Sequence, residues 1–144
     1  NGPGFFNSEF RYRDALGVDK ISSHSSLYKA FKHSKIIVCT YPQTTFSEAM
    51  NSGAPTILIY SEGFWEFHES FLELIEQLKE SQIIFTCPKK AAVHINNIWE
   101  NPELWWNKSE TFKVRQNYIQ MCCKTNDNWI NEWASFFKQP LEEV

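Results

Sequence analysis

Thr44 and Thr45 stand where an apolar run gives way to helix-forming residues, and Glu48 follows about one helical turn later. That spacing suits phosphate and sugar chemistry. At a helix N-terminus the first N–H groups have no intrahelical partner and the dipole is positive, so an anion is favoured there. The hydroxyl of Thr44 or Thr45 can cap the same end. A carboxylate at Glu48 is placed to reach the hydroxyls of a sugar joined to such a phosphate. Tyr41 and Gln43 belong to the same turn, and a second loop carries Phe64, Trp65 and Glu66, an aromatic wall with a further acceptor. The plainer alternative stays open: threonines that only cap, glutamates that are solvated, and rings that pack on a sheet edge.

The elements that position these residues are legible around them. Ile36-Ile37-Val38-Cys39 and Thr56-Ile57-Leu58-Ile59-Tyr60 are continuously apolar runs. They suit parallel strands covered on both faces. A short helix over Phe46–Asn51, closed by Gly53, connects them, so Tyr41–Thr45 falls at the carboxyl end of a strand, where open α/β sheets bind ligands. The Ser61–Glu66 loop follows the next strand and falls beside it. A short strand at Val18–Ser22 and a last one at Gln82–Thr86 bring the expected parallel sheet to about four strands. Ser25 or Ser26 caps a helix over Leu27–His33. A helix from about Glu66 to Lys79 carries the stripe Phe67, Phe71, Leu74, Ile75 and Leu78. Another, Lys89–Trp99, packs through Ala91, Ala92, Ile95 and Ile98.

The chain therefore reads as α/β and divides into three parts. Residues 1–17 are irregular, with Arg11 and Arg13 on one side of an extended segment, facing an anion or solvent. Residues 18–100 form a partial Rossmann-like domain. Residues 101–144 are a helical tail, opened by Pro102 and rich in Trp, that packs on that domain or on another one. With 144 residues, 42% hydrophobic, the chain can bury a core, and a net charge of -3 without a basic run gives no footprint for nucleic acid. No apolar stretch reaches the ~18 residues of a membrane span. Cys39, Cys87, Cys122 and Cys123 form no Cys-x-x-Cys pair and have no His at zinc-site spacing, so free thiols and no metal site are expected. The start at Asn1, without Met, suggests a piece of a longer protein.

Several short motifs then occur in order: Thr44-Thr45-Phe46-x-Glu48-Ala49, Pro55-Thr56-Ile57, Trp65-Glu66, Pro88-x-x-Ala91-Ala92, and Ile98-Trp99 followed by Trp105-Trp106. Together, from about Ser26 to Phe137, they resemble the C-terminal part of the transferases of surface-carbohydrate biosynthesis first described in leptospires. More broadly, Glu48-Ala49 and the downstream Pro55 are similar to the second half of GT-B glycosyltransferases. The resemblance implies a domain that binds a nucleotide-sugar donor without a metal or separate cofactor, phosphate held at Thr44 and Thr45 and ribose at Glu48. Relatives that use CMP-linked sugars carry a Ser-Ser pair at the equivalent turn. It also implies a glycan acceptor, a missing N-terminal lobe that holds the catalytic base, and an address in the cytoplasm or at the inner-membrane surface. The isolated chain would then be inactive and prone to self-association. Two other functions remain open: a non-catalytic interaction module, and a nucleotide-sugar epimerase of the same fold.

Overall fold

The structure, a computed structural model, describes residues 8–17, 26–123 and 126–138. Its centre is a parallel sheet of three strands, β1 (Ile37–Cys39), β2 (Thr56–Ile59) and β3 (Ile84–Phe85), in that spatial order. Val38 pairs with Ile57, and Leu58 with Ile84. The ladder is continued by Ile37 N–H to Pro55 O (2.8 Å) and Tyr60 N–H to Phe85 O (3.1 Å). These are three of the strands the apolar runs predict; the expected strand at Val18–Ser22 lies outside the described residues. Central β2 is closed in on both faces, with Ile57 and Leu58 fully buried. β1 is not: Ile37 and Cys39 are buried but Val38 between them is exposed. A continuous apolar run thus overstates the covering of β1, because consecutive strand residues point to opposite faces and only one is covered here.

Each strand ends in a loop that leads into a helix. Helix α3 (Thr44–Asn51) follows β1 and buries Phe46, Ala49 and Met50, spaced three and one apart along one face. Gly53 ends it with φ 82°, a left-handed conformation that glycine adopts without steric cost. After β2 comes a single 3₁₀ turn, Glu62–Phe64, then α4 (Glu69–Glu80). α4 starts three residues later than its apolar stripe suggests. His68 is extended and caps it, accepting the Ser70 N–H at Nδ1 (3.3 Å). Leu74, Ile75 and Leu78 are buried as the stripe requires. Helix α5 (Pro88–Ile98) follows β3 with Pro88 in its first turn, where the missing N–H has no intrahelical partner to lose. Its packing face is Ala91, His94, Ile95 and Ile98. Ala92, expected on that face, is exposed, since it lies about 100° around the helix from Ala91.

The tail begins with α6 (Pro102–Trp106) and α7 (Ser109–Cys122). Trp105 and Trp106 are buried, and both indoles find main-chain acceptors: Trp105 Nε1 donates to Ser81 O (3.0 Å) and Trp106 Nε1 to Gly53 O (2.7 Å). α7 packs on α3 and α4. The Tyr118 hydroxyl lies 2.9 Å from Ser47 Oγ, and the Arg115 guanidinium sits 4.5 Å from the Trp106 ring and 5.0 Å from that of Phe112. Helix α8 (Trp129–Lys138) has no buried residue.

Upstream, α2 (Leu27–His33) is capped by Ser26, whose hydroxyl accepts the Lys29 N–H (3.3 Å), and inserts Phe31 into the core. The leading segment corrects the sequence reading. Ser8–Leu16 is helical, α1, rather than irregular. Arg11 and Arg13 therefore sit about 200° apart around a helix instead of side by side.

Candidate functional site

The three strands are parallel, so the loops after them meet one edge of the sheet: residues 40–43 after β1, 60–68 after β2, and 86–87 after β3. The first loop turns tightly, with Gln43 N–H donating to Tyr41 O (3.0 Å). Gln43 is the last extended residue and the N-cap of α3, with no side-chain bond to the first turn. The helix thus begins two residues before the expected Phe46, and neither Thr44 nor Thr45 caps it. They occupy its first two positions.

That shift changes what the turn offers. Gln43 O accepts from Phe46 N–H (2.9 Å) and Ser47 N–H (3.3 Å), whereas no acceptor among the described residues meets the N–H groups of Thr44 and Thr45. Two donors at the positive end of an eight-residue helix remain available there. Thr44 is exposed and Thr45 half-buried.

Glu48 is exposed and four residues from Thr44, on the same helix face. It lines a groove of about 400 Å³ with Leu27, Tyr28 and Phe31 of α2 and with Asn51 and Ser52. The carboxylate thus lies between the turn and α2.

Tyr41 and Trp65, from different loops, are brought together: their rings are 6.5 Å apart and nearly parallel, 13° between planes. This pair sits beside the turn on the carboxyl edge. Phe64, expected as part of the same wall, points into solvent, 84% exposed. Glu66 is exposed, without a hydrogen bond among the described residues. The expected residues therefore divide into a turn with free donors (Gln43, Thr44, Thr45), an aromatic pair above it (Tyr41, Trp65), a carboxylate facing α2 (Glu48) and a solvated Glu66.

Two features of this edge escape the sequence reading. Lys79 Nζ pairs with Glu62 Oε1 (2.6 Å) and Glu76 Oε1 (2.8 Å), which pins the 3₁₀ turn of the second loop to α4. These carboxylates raise the lysine's pKa, strengthening its charged form. The Glu76–Lys79 spacing is the signal for half of it; Glu62 lies too far along the chain to be read. Cys87 completes the edge as N-cap of α5, and the N–H groups of Lys90 and Lys89 draw its thiol below its ordinary pKa. Pro88 is the signal, since a proline in a first helical turn marks the residue before it as the cap. Cys39, by contrast, is pushed up to about 11 by burial and is an inert core thiol.

His94, which has no ligand-like neighbour in the sequence, is buried between Phe85 (5.4 Å) and Trp105 (4.8 Å), and its Nε2 has no hydrogen-bond partner among the described residues. Burial, and then the charge of Lys108, lower its pKa. The described residues contain no group of three or more His, Cys, Asp or Glu side chains arranged to hold a metal ion, and no helix among them is long and apolar enough to cross a membrane.

Comparison with known proteins adds one finding. A family model described as the LIC12162 family transferase matches residues 6–137. Neither the curated proteins nor the solved structures gave a match. The matched stretch spans nearly the whole chain and takes in every motif from Thr44-Thr45 to Trp105-Trp106, so the chain belongs to the LIC12162 family of transferases.

Proposed function

We propose that this chain is the donor-binding part of a glycosyltransferase that uses a nucleotide-sugar in bacterial surface-polysaccharide synthesis. Membership of a transferase family supports group transfer. The observation that carries the finer reading is the pair of unmet N–H groups at Thr44 and Thr45, at the start of α3 and the carboxyl end of β1. A donor phosphate held there is met by hydrogen bonds and by the helix dipole, so the reading needs no metal. Glu48, one turn along the same face, accepts hydrogen bonds from the ribose. On this reading the Tyr41–Trp65 pair walls the turn that holds Gln43, and the exposed Glu66 of the next loop offers a further acceptor.

Transfer requires donor and acceptor held together and an ordered general base or stabilising group. No such constellation converges on this edge among the described residues. The base and the acceptor site belong, on this reading, to a second lobe, and the isolated chain binds nucleotide weakly without turnover.

Glu48→Gln tests the ribose contact. The exchange preserves helix propensity, so stability should hold. Calorimetric titration with CMP, UDP and GDP should show affinity for the preferred nucleotide reduced by about 1–3 kcal/mol, the range of hydrogen bonds to a charged group. Equal affinity in the variant would return Glu48 to a solvated helix face.

A further inference from the structure

Helix α8 has ten residues and every one of them is exposed. Among the described residues, its side-chain hydrogen bonds and ring contacts all stay within residues 126–138. At 100° per residue, Phe136, Trp129, Trp133, Phe137 and Ile130 fall within an arc of about 120°, and Asn131, Ser135 and Lys138 lie opposite. A helix this short is marginal in water unless its apolar face is covered. Its start is nonetheless held in place. Asn128 N–H donates to Asn126 Oδ1 (2.8 Å), and Asn126 Nδ2 donates to Glu132 Oε2 (2.7 Å).

Three observations say what covers the face. The first is area. The five apolar side chains, 55–74% exposed, offer roughly 600 Å² per copy, taking about 150–250 Å² for a whole ring. Two copies together bury roughly 1,200 Å², the lower end of the range for specific interfaces, about 1,200–2,000 Å². The second is relief. The face carries a shallow hollow lined by Glu132, Trp133 and Phe136, next to the projecting ring of Phe137. A surface with both a hollow and a knob can pair with itself, as a two-fold interface requires. The third is charge. Lys138 is the one cation of the helix and Glu132 offsets it, so α8 lacks the basic polar face that draws an interfacial helix to lipid.

We infer that α8 pairs with α8 of a second copy of this chain, in a two-fold dimer closed by the aromatic stripe. Trp133 is the middle residue of the stripe, so the two-fold axis brings it close to its own copy. The inference does not rest on the donor reading.

The test is sedimentation velocity of the 144-residue chain from roughly 1 to 200 μM, the range in which an interface of this size dissociates when it is weak. Monomer should prevail at the low end, where pairing adds little to the free energy of unfolding, and dimer at the high end without larger species. Trp133→Glu and Trp133→Lys should each keep the Tm and far-UV spectrum of the parent, because the position is exposed. Each should dimerise at least about tenfold more weakly, as loss of a central Trp does. An equimolar mixture of the two should regain the dimer, which only pairing of the face with itself explains. Leu104→Ala, on the exposed side of α6, should dimerise as the parent does. The inference is overturned if the parent stays monomeric throughout, if the charged variants dimerise like the parent, or if their mixture stays monomeric. It is also overturned if the chain forms larger species, or if a monomer binds phosphatidylcholine–phosphatidylglycerol vesicles and Trp133→Glu abolishes that binding, which gives the face to lipid.

Discussion

The tail contains two aromatic segments that look alike in sequence and behave oppositely. Trp105-Trp106 closes α6 and is buried; the stripe of Trp129, Ile130, Trp133, Phe136 and Phe137 on α8 is exposed, from 55% at Trp133 to 74% at Phe137. Hydrophobicity does not separate them. What does is geometry and polar satisfaction. α6 follows α5, which lies on β2 and β3, and short connections bring both indoles against loop carbonyls at the amino edge, where Ser81 O and Gly53 O accept their N–H groups. A buried indole needs such an acceptor. α8 follows a separate turn and its rings meet chiefly one another: Trp133 lies 5.4 Å from Phe137 and 6.0 Å from Phe136. The lesson is that an aromatic stripe states how much surface a helix would gain from burying, not which surface covers it.

That contrast can be broken from either side, and the largest effect should come from Trp106→Ala. The ring is 1% exposed, carries the bond to Gly53 O and is the platform for Arg115. Its truncation should cost about 3–5 kcal/mol in urea denaturation, the scale of large cavities, and a loss below 1 kcal/mol would show that α6 is not part of the cooperative core.

Tyr118→Phe should cost about 1 kcal/mol, because the Ser47–Tyr118 bond ties α7 to α3 and its removal leaves the Ser47 hydroxyl without that partner. Burial already holds the Tyr118 phenol far above its ordinary pKa, so this cost should be constant across neutral pH.

Smallest of all, Trp133→Ala should change stability by less than about 0.5 kcal/mol, as exposed positions do. A loss like that of Trp106→Ala would mean that α8 is packed in solution after all.

The same physics explains what the sequence made legible. Ile57, Leu58, Leu74 and Leu78 were readable because their periodicity is imposed by a face that must be buried. The carboxyl-edge location of Tyr41–Thr45 was readable because parallel strands leave no other choice. Element starts were less so. α3 begins at Thr44 with Gln43 as its cap, although threonine is much the better capping residue, because the loop after β1 turns before it reaches them. The start of α4 moved for a similar reason, with His68 taking the cap. Pairings between residues distant along the chain, such as Lys79–Glu62, Tyr41–Trp65 and Ser47–Tyr118, depend on how helices and loops lie against one another, and local spacing does not encode that. The family resemblance, carried by motifs in order rather than by any one of them, was the most legible feature of all.

The central claim is that the N–H groups of Thr44 and Thr45 receive the phosphate of a nucleotide-sugar. The most direct measurement is an amide NMR titration of the full chain with CMP, UDP and GDP, and with their nucleosides as phosphate-free controls. The account predicts that one nucleotide shifts the Thr44 and Thr45 amides downfield, as new hydrogen bonds to an anion do, and that its nucleoside does not. Shifts that leave residues 43–46 unmoved, or that are equal for nucleotide and nucleoside, would contradict it.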